Sequence, residues 1–314
     1  MSRYVFGVDI GGTSIKLGLF EESGMLLEKW EIPTRKEENG AYILPDISNS
    51  ISAQMEKRTI AKDDIIGVGV GSPGMVNENG IVYSAVNLGW NHVDIPGQLG
   101  KMLGGVCVKA ENDANVAAYG EMWKGAGAGY KNLVMVTLGT GVGGGIITEG
   151  RILRGAGGAG GEIGHIHVED REEVPCACGS IGCLEQYASA PGIVKIAQKV
   201  LENSEKPSSL RAVQTISAKE IFDAVKLGDE AAIEIAEIFG EYLGKGLSII
   251  ASIVNPDLFV IGGGVSYAGE ILFDFIRPTL TKYTNACNAG IKLQLARLGN
   301  DAGIYGAAGL WLAS

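Results

Sequence analysis

Short apolar runs broken by glycine turns set the pattern of the first third of the chain. Tyr4–Asp9 is apolar up to its acidic end, Asp9-Ile10-Gly11-Gly12-Thr13 turns the chain, and Ser14–Phe20 is apolar again. This run–turn–run predicts two paired strands, and Met25–Ile32 adds a third, completing a meander. Ile43–Met55 has partly helical spacing. Ile65–Gly71 predicts a strand ending at Ser72-Pro73-Gly74, and Val106–Ala110 predicts another. Ala114, Ala117, Ala118 and Met122 recur at helical spacing, so Asn112–Trp123 reads as a helix.

The pattern then repeats. Leu133–Leu138 predicts a strand, Gly139-Thr140-Gly141 a turn and Val142–Thr148 a second strand, echoing the unit at residues 4–20. Two copies of one unit predict two α/β domains on a common plan. Residues 1–112 form a small N-terminal domain, joined by the C-terminal helix 302–314, and residues 113–301 form a larger one carrying a cysteine-rich loop. Glu230–Val254 is the clearest helix, with Ala231, Ile235, Phe239, Leu243 and Leu247 on one face, stopped by Asn255-Pro256. Leu258–Ile261 predicts a strand running into Gly262-Gly263-Gly264, and Ala302–Leu312 a final helix.

Composition narrows the function classes. Among 314 residues, 46% are hydrophobic and 20% charged, an ordinary globular balance, but 48 are glycine and these cluster at turns. Clustered glycines mark tight turns or places where a ligand approaches the backbone. The net charge of −10 argues against nucleic-acid binding, which needs Lys and Arg against phosphates. A phosphate ligand would be held by backbone N–H groups and a metal ion. Tyr4–Val8 is too short for a signal peptide and Leu247–Val254 too short to span a bilayer, so the expected location is cytoplasmic, away from membranes.

Three of the five cysteines, Cys176, Cys178 and Cys183, sit together; Cys107 and Cys287 stand alone and read as small core residues. An odd count without an export signal points to metal rather than disulfides. With a histidine, the cluster supplies the closed tetrahedral N/S set of a structural Zn²⁺. His165 and His167 would share one face of a strand, so spacing leaves both open as the fourth ligand.

Two glycine turns fit phosphate. Asp9–Thr13 combines an acid, two glycines and a hydroxyl, and Asp9 could hold Mg²⁺. Leu138–Gly145 offers a second cradle, with Thr140 supplying the hydroxyl. Each alone could be a plain glycine-rich hairpin. Glu111-Asn112-Asp113 stands at a strand-to-helix junction, where Asp113 reads equally as a helix N-cap or as a carboxylate that takes a proton in phosphoryl transfer. Glu162 and Glu185 are surface acids or sugar contacts.

Asp9-Ile10-Gly11-Gly12-Thr13, Glu111-Asn112-Asp113-Ala114-Asn115, Leu138–Gly145, Gly161-Glu162-Ile163-Gly164-His165 and Cys176-Ala177-Cys178-Gly179 through Gly182-Cys183-Leu184-Glu185 together resemble the ROK family (repressors, open reading frames and sugar kinases), in order, from residue 3 to the C-terminus. Asn87-Leu88-Gly89-Trp90 and Gly120–Gly125 are similar to the bacterial glucokinases of that family. The stretch from His165 to Cys176 is one residue longer than in some members, mainly repressors. The resemblance implies an actin-like (ribonuclease H-like) two-domain sugar-kinase fold with a ligand cleft between the domains. It implies ATP-dependent phosphorylation of a hexose 6-hydroxyl, with glucose foremost, and a homodimer. Asp113 would be the general base. Asn87, Asn112, Asp113, Glu162, His165 and Glu185 would contact sugar, and His165, Cys176, Cys178 and Cys183 would bind Zn²⁺. Asp9 would serve Mg²⁺; Gly11, Gly12, Thr13, Lys16, Gly139, Thr140 and Gly141 would hold the phosphates, with Gly263 and Gly264 near the adenosine.

Three alternatives carry different signatures. A sugar-responsive repressor would need a helix-turn-helix domain, for which the first strand at Arg3 leaves no room. A kinase for fructose, mannose, allose or N-acetylmannosamine would share the same motifs. A sugar-binding protein without catalysis would not need Asp113 and both turns.

Overall fold

The computed structural model describes residues 3–313. Strands β1 (Tyr4–Ile10), β2 (Ser14–Glu21), β3 (Leu26–Pro33) and β4 (Ile65–Ser72) lead to a small sheet of β5 (Met75–Val76), β6 (Ile81–Ala85) and β7 (Trp90–Asp94), and then to β8 (Val108–Asn112). The first large sheet runs β3-β2-β1-β4-β8. β1 pairs antiparallel with β2, from Tyr4↔Glu21 to Ile10↔Ile15. β4 lies parallel to both β1 and β8. β1 and β4 are apolar on both faces because both faces are covered. On one face, Ile43, Ile47 and Ile51 of helix Ile43–Arg58 join Phe6, Val8 and Leu17 in a continuous core.

The other face is covered by the C-terminal helix Ala302–Leu312, which packs on β1, β4 and helix Asp113–Lys124. This packing is backbone against backbone. A Cβ at Gly7 or Gly69 would land on the carbonyl oxygens of Ile304 or Ala307, and one at Gly306 on that of Val116. Glycine is required there by proximity rather than by backbone angle. Glu121, fully buried, accepts from the backbone N–H groups of Ala126 (2.7 Å), Arg297 (2.9 Å) and Leu298 (2.8 Å), tying the two helices' approach together.

The second large sheet is β9 (Leu133–Leu138), β10 (Val142–Thr148), β11 (Arg151–Ile152), β12 (Leu258–Gly262) and β13 (Lys292–Leu295), in the order β11-β10-β9-β12-β13. It repeats the plan of the first: a meander of three, then two parallel strands. Helix Glu230–Val254, capped by Asp229 accepting from the Ala232 N–H at 3.0 Å, packs against helices Ala190–Asn203, Ala218–Lys226 and Ile271–Tyr283. The chain divides into two compact units: Met1–Gly129 with Gly145–Gly161 and Arg297–Ser314, and Tyr130–Gly144 with Glu162–Ala296.

Three expectations are corrected. The strand expected at Val106–Ala110 lies at Val108–Asn112, because Val106 and Cys107 belong to the irregular stretch that leads from helix Ile95–Met102 into it. The cap of the next helix is Asn112, not Asp113. Cys107 and Cys287 are exposed rather than in the core, one leading into β8 and the other in the turn Ala286–Asn288. Among the described residues, no helix is long and apolar enough to cross a membrane.

Candidate active site and metal cluster

In the first unit the acids gather at the carboxyl ends of parallel strands. Asp9 is the penultimate residue of β1, in register with Lys16 of β2. Gly303, in the first turn of the C-terminal helix, lies against its carboxyl group; a Cβ there would collide with it. Burial first, then the charge of Asp113, pushes Asp9 up to about 6, with Lys16 pulling the other way. A helix N-terminus favours an anion but does not replace lost hydration. This carboxylate therefore suits a cation of Mg²⁺ chemistry, which takes oxygen ligands and keeps much of its water.

The turn after β1 is closed by the Gly11 N–H donating to Ser14 O at 2.9 Å, and a Cβ at Gly11 would crowd that oxygen. Gly12 has room on its outer side. The Lys16 ammonium donates to Asn300 O at 3.2 Å.

Asn112 ends β8 and caps helix Asp113–Lys124, its Oδ1 accepting from the Asn115 N–H at 3.1 Å. Its Nδ2 donates to Gly74 O and to Asp113 Oδ1, both at 3.0 Å. Asp113 is thus the first helical residue, its carboxylate steadied by its neighbour and by the Ala114 N–H at 2.8 Å. Capping is done by Asn112 rather than by Asp113.

Beneath this pair lies Glu111, 1% exposed. Its Oε1 accepts from the Asn112 N–H at 3.0 Å and from Asn115 Nδ2 at 3.1 Å; its Oε2 pairs with Arg154 Nε. A buried carboxylate is tolerable only when paired and hydrogen-bonded in this way. Neither Glu111 nor Arg154 was assigned a role from the sequence.

In the second unit, the β9–β10 turn is closed by one bond within it and held by two from further along the chain. The Gly139 N–H donates to Gly141 O at 2.9 Å, the Ala190 N–H to Gly139 O at 2.8 Å, and the Val142 N–H to Glu185 Oε2 at 2.9 Å. Thr140 opens onto a recess of about 260 Å³ bordered by Cys176, Glu185, Ser189 and Lys195. Gly263 has φ +81°, and its α-carbon packs against the Leu138 backbone, bringing the turn after β12 beside the turn after β9. Gly264 faces open space.

His165, Cys176, Cys178 and Cys183 offer ligand atoms that all lie within 4.8 Å of one another. Cys178 and Cys183 sulfurs are 3.7 Å apart, and Cys176 Sγ is 3.9 Å from His165 Nδ1. Ligands about 2.3 Å from a tetrahedral zinc lie roughly 3.8 Å from each other, so the cluster has the size Zn²⁺ needs. Burial and the neighbouring sulfurs push Cys183 up to about 12, while the Ser180 backbone N–H helps hold Cys178 below the usual thiol range. Thiols this crowded share negative charge poorly without a metal.

His167 is excluded as a ligand by its own bonds. Its Nδ1 is 2.9 Å from Ile181 O and its Nε2 2.8 Å from Asp170 Oδ1. His165 turns Nδ1 to the cluster and Nε2 to within 3.9 Å of Glu162 Oε2. Glu185 Oε1 lies 3.9 Å from Cys176 Sγ, so this acid touches both the cluster and the phosphate-type turn.

The first unit therefore gathers Asp9, Gly11, Gly12, Thr13, Lys16, Asn112 and Asp113, and the second gathers Gly139, Thr140, Gly141, Glu162, His165, Glu185 and Gly263. Asn87 is exposed in the turn Val86–Leu88 of the first unit.

A model of the ROK family matches residues 5–314. The glucokinase of Halalkalibacterium halodurans is 42% identical, over 99% of this chain and 94% of that protein. The glucokinase of Thermotoga maritima is 36% identical, over 98% of this chain and 96% of that protein. The solved structure of a ROK family glucokinase from Streptomyces griseus, in complex with glucose and AMPPNP, is similar with a TM-score of 0.75 and 34% identity, over 99% of this chain and 100% of that one. The α/β fold is that of the actin-like two-domain sugar kinases, and the chain belongs to the ROK family.

Proposed function

We propose that this chain is an ATP-dependent glucose kinase. It transfers the γ-phosphoryl group of ATP to the 6-hydroxyl of glucose, giving ADP and glucose 6-phosphate. The observation that carries the reading is Asp113 standing free of the capping role, at the mouth of β8, with Asn112 fixing its carboxylate. Relatives at 35–42% identity with the name glucokinase support glucose as the sugar.

Asp113 accepts the proton of the 6-hydroxyl as its oxygen attacks the γ-phosphorus and the bond from that phosphorus to the bridging oxygen of ADP breaks. Such a base contributes about 10²–10⁴-fold, and positioning with charge stabilisation supplies the rest. Asn87, Asn112, Glu162, His165 and Glu185 hold sugar hydroxyls, His165 through the Nε2 that the cluster leaves unused. Gly12 and Thr13 with Lys16, and Thr140 and Gly141, donate to phosphate oxygens, while Gly11 and Gly139 shape the two turns through their own N–H bonds; Gly263 and Gly264 border the adenosine. Mg²⁺, held through Asp9, would neutralise phosphate charge. Zn²⁺ in the cysteine cluster would fix His165 and Glu185. The reading includes a cytoplasmic homodimer, which sedimentation equilibrium tests.

The experiment is an assay of ADP release with Mg-ATP and glucose, mannose, fructose, allose, N-acetylglucosamine or N-acetylmannosamine. The highest kcat/KM with glucose is expected. Preference for another sugar would keep the chemistry and replace the substrate; no turnover with any sugar, in zinc-loaded protein, would overturn the kinase reading.

A further inference from the structure

We infer that the first unit carries a second anion site, a recess beside the Arg154–Glu111 ion pair that takes a small dianionic phosphate. The recess encloses about 410 Å³ and lies entirely within that unit. That volume is within the range of small-molecule sites. Its walls include Lys109, Arg151, Arg154, Tyr119, Leu310 and one acid, Glu78.

The lining is rich in donors that face solvent and have no protein partner among the described residues. Arg154 spends Nε on Glu111, which leaves the four N–H groups of its two terminal nitrogens. Lys109 donates once, to Leu310 O at 2.7 Å, and is held over the Trp311 ring at 4.1 Å, which leaves two N–H groups. Arg151 has no ion-pair partner among the described residues. The Tyr119 hydroxyl is already committed to Ala313 O at 3.1 Å.

Three cations thus face one recess. Glu111 neutralises one, and among the described residues Glu78 is the only acid in the wall. The excess is positive on a chain whose net charge is −10. The crowding is felt by Lys109, whose ammonium is held below its usual range by burial and then by the charge of Arg154. A bound dianion would relieve that repulsion and satisfy the idle donors. Planar guanidinium forks match phosphate oxygens in pairs, which a chloride ion cannot exploit.

This site is distinct from the glycine turns assigned to ATP and does not rest on the kinase reading. Inorganic phosphate and glucose 6-phosphate distinguish its two sources of ligand. Each is titrated calorimetrically into the protein held in excess glucose and AMPPNP, for wild type, Arg151→Gln and Lys109→Gln. Saturable binding is expected in wild type, weakened about tenfold in each variant, as for loss of one charge-assisted hydrogen bond. Tighter binding of glucose 6-phosphate would identify a phosphorylated sugar as occupant, and equal or tighter binding of inorganic phosphate would identify the free anion. Unchanged thermal melting of Arg151→Gln guards against misfolding. No saturable binding into the millimolar range, or binding that both variants leave intact, would overturn the inference.

Discussion

The two sheets share one strand order, and the first turn of each is closed by a bond within it, but the acid beside each turn is supplied differently. After β1 the turn closes on itself, through the Gly11 N–H and Ser14 O, and the acid precedes it on the strand as Asp9. After β9 the penultimate strand residue is Thr137, and the acid comes from far along the chain, as Glu185 accepting from the Val142 N–H. One copy keeps its acid half-buried against a helix; the other borrows an acid that also touches the cysteine cluster. The same strand plan occurs twice, and the side chains divide the labour. The first copy holds the acids suited to proton and cation chemistry, and the second couples its turn to a loop whose histidine and three cysteines have the spacing to hold a metal.

The strongest way to break this division is Asp113→Asn. Turnover should fall by several hundred-fold with the melting temperature nearly unchanged, because the Asn112 cap is untouched. Wild-type-like turnover would remove the base from the first copy.

Next is a pair of glycines. Gly69→Ala should cost about 3 kcal/mol in chemical denaturation, since its Cβ meets the Ala307 carbonyl. Gly139→Ala, with open space around it, should stay within about 0.5 kcal/mol. Equal losses would mean the C-terminal helix is not seated as described.

Cys178→Ser should weaken zinc retention by roughly 10–100-fold in elemental analysis after chelation, and raise the KM for glucose. His167→Ala should keep full zinc. Zinc loss in His167→Ala would add His167 to the ligands, and full zinc in Cys178→Ser would remove Cys178 from them.

The smallest effect concerns Glu172, which is held at about 2 by Lys195, with help from the Tyr187 hydroxyl and the Val174 N–H, against the usual 4.5. A folded pKa below the unfolded one contributes stability above about pH 4.5 and loses it as pH falls toward 2. Glu172→Gln should lower stability at neutral pH by about 2 kcal/mol and flatten the acid limb over that window. An acid limb as steep as in wild type would deny Glu172 this role.

What the sequence revealed follows from where local pattern is enough. β1, β2, β9 and β10 alternate or run apolar between glycine turns, and helix Glu230–Val254 has a long periodic face, so all were readable. Ala302–Leu312 was readable as a helix, but its glycines Gly303, Gly306 and Gly309 explain themselves only against Asp9, Val116 and Tyr119. The small sheet β5-β6-β7 was missed because its strands span two to five residues. Helix Ala190–Asn203 hides behind Pro191, tolerated at the first turn, and helix Ile271–Tyr283 contains Pro278. At the site, Asn112 and Asp113 stood out, but which of them caps the helix depended on β8 ending two residues later than expected. The Glu111–Arg154 pair joins residues 43 apart in sequence, a tertiary choice that no spacing rule encodes. His165 and His167 were separable only once His167 was seen bonded to Ile181 and Asp170.

The seating of Ala302–Leu312 on Gly7 and Gly69 also fixes an order of events during synthesis. The unit that begins at the N-terminus is completed by Arg297–Ser314, whereas the other lies wholly in between. As the chain leaves the ribosome, β1 and β4 emerge with one face bare of its covering helix. At about 5–20 residues per second, they wait on the order of ten seconds for the closing segment. Through that interval the nascent first sheet is an unfinished surface, open to chaperones and to wrong partners, and a loss of the last dozen residues would make that state permanent.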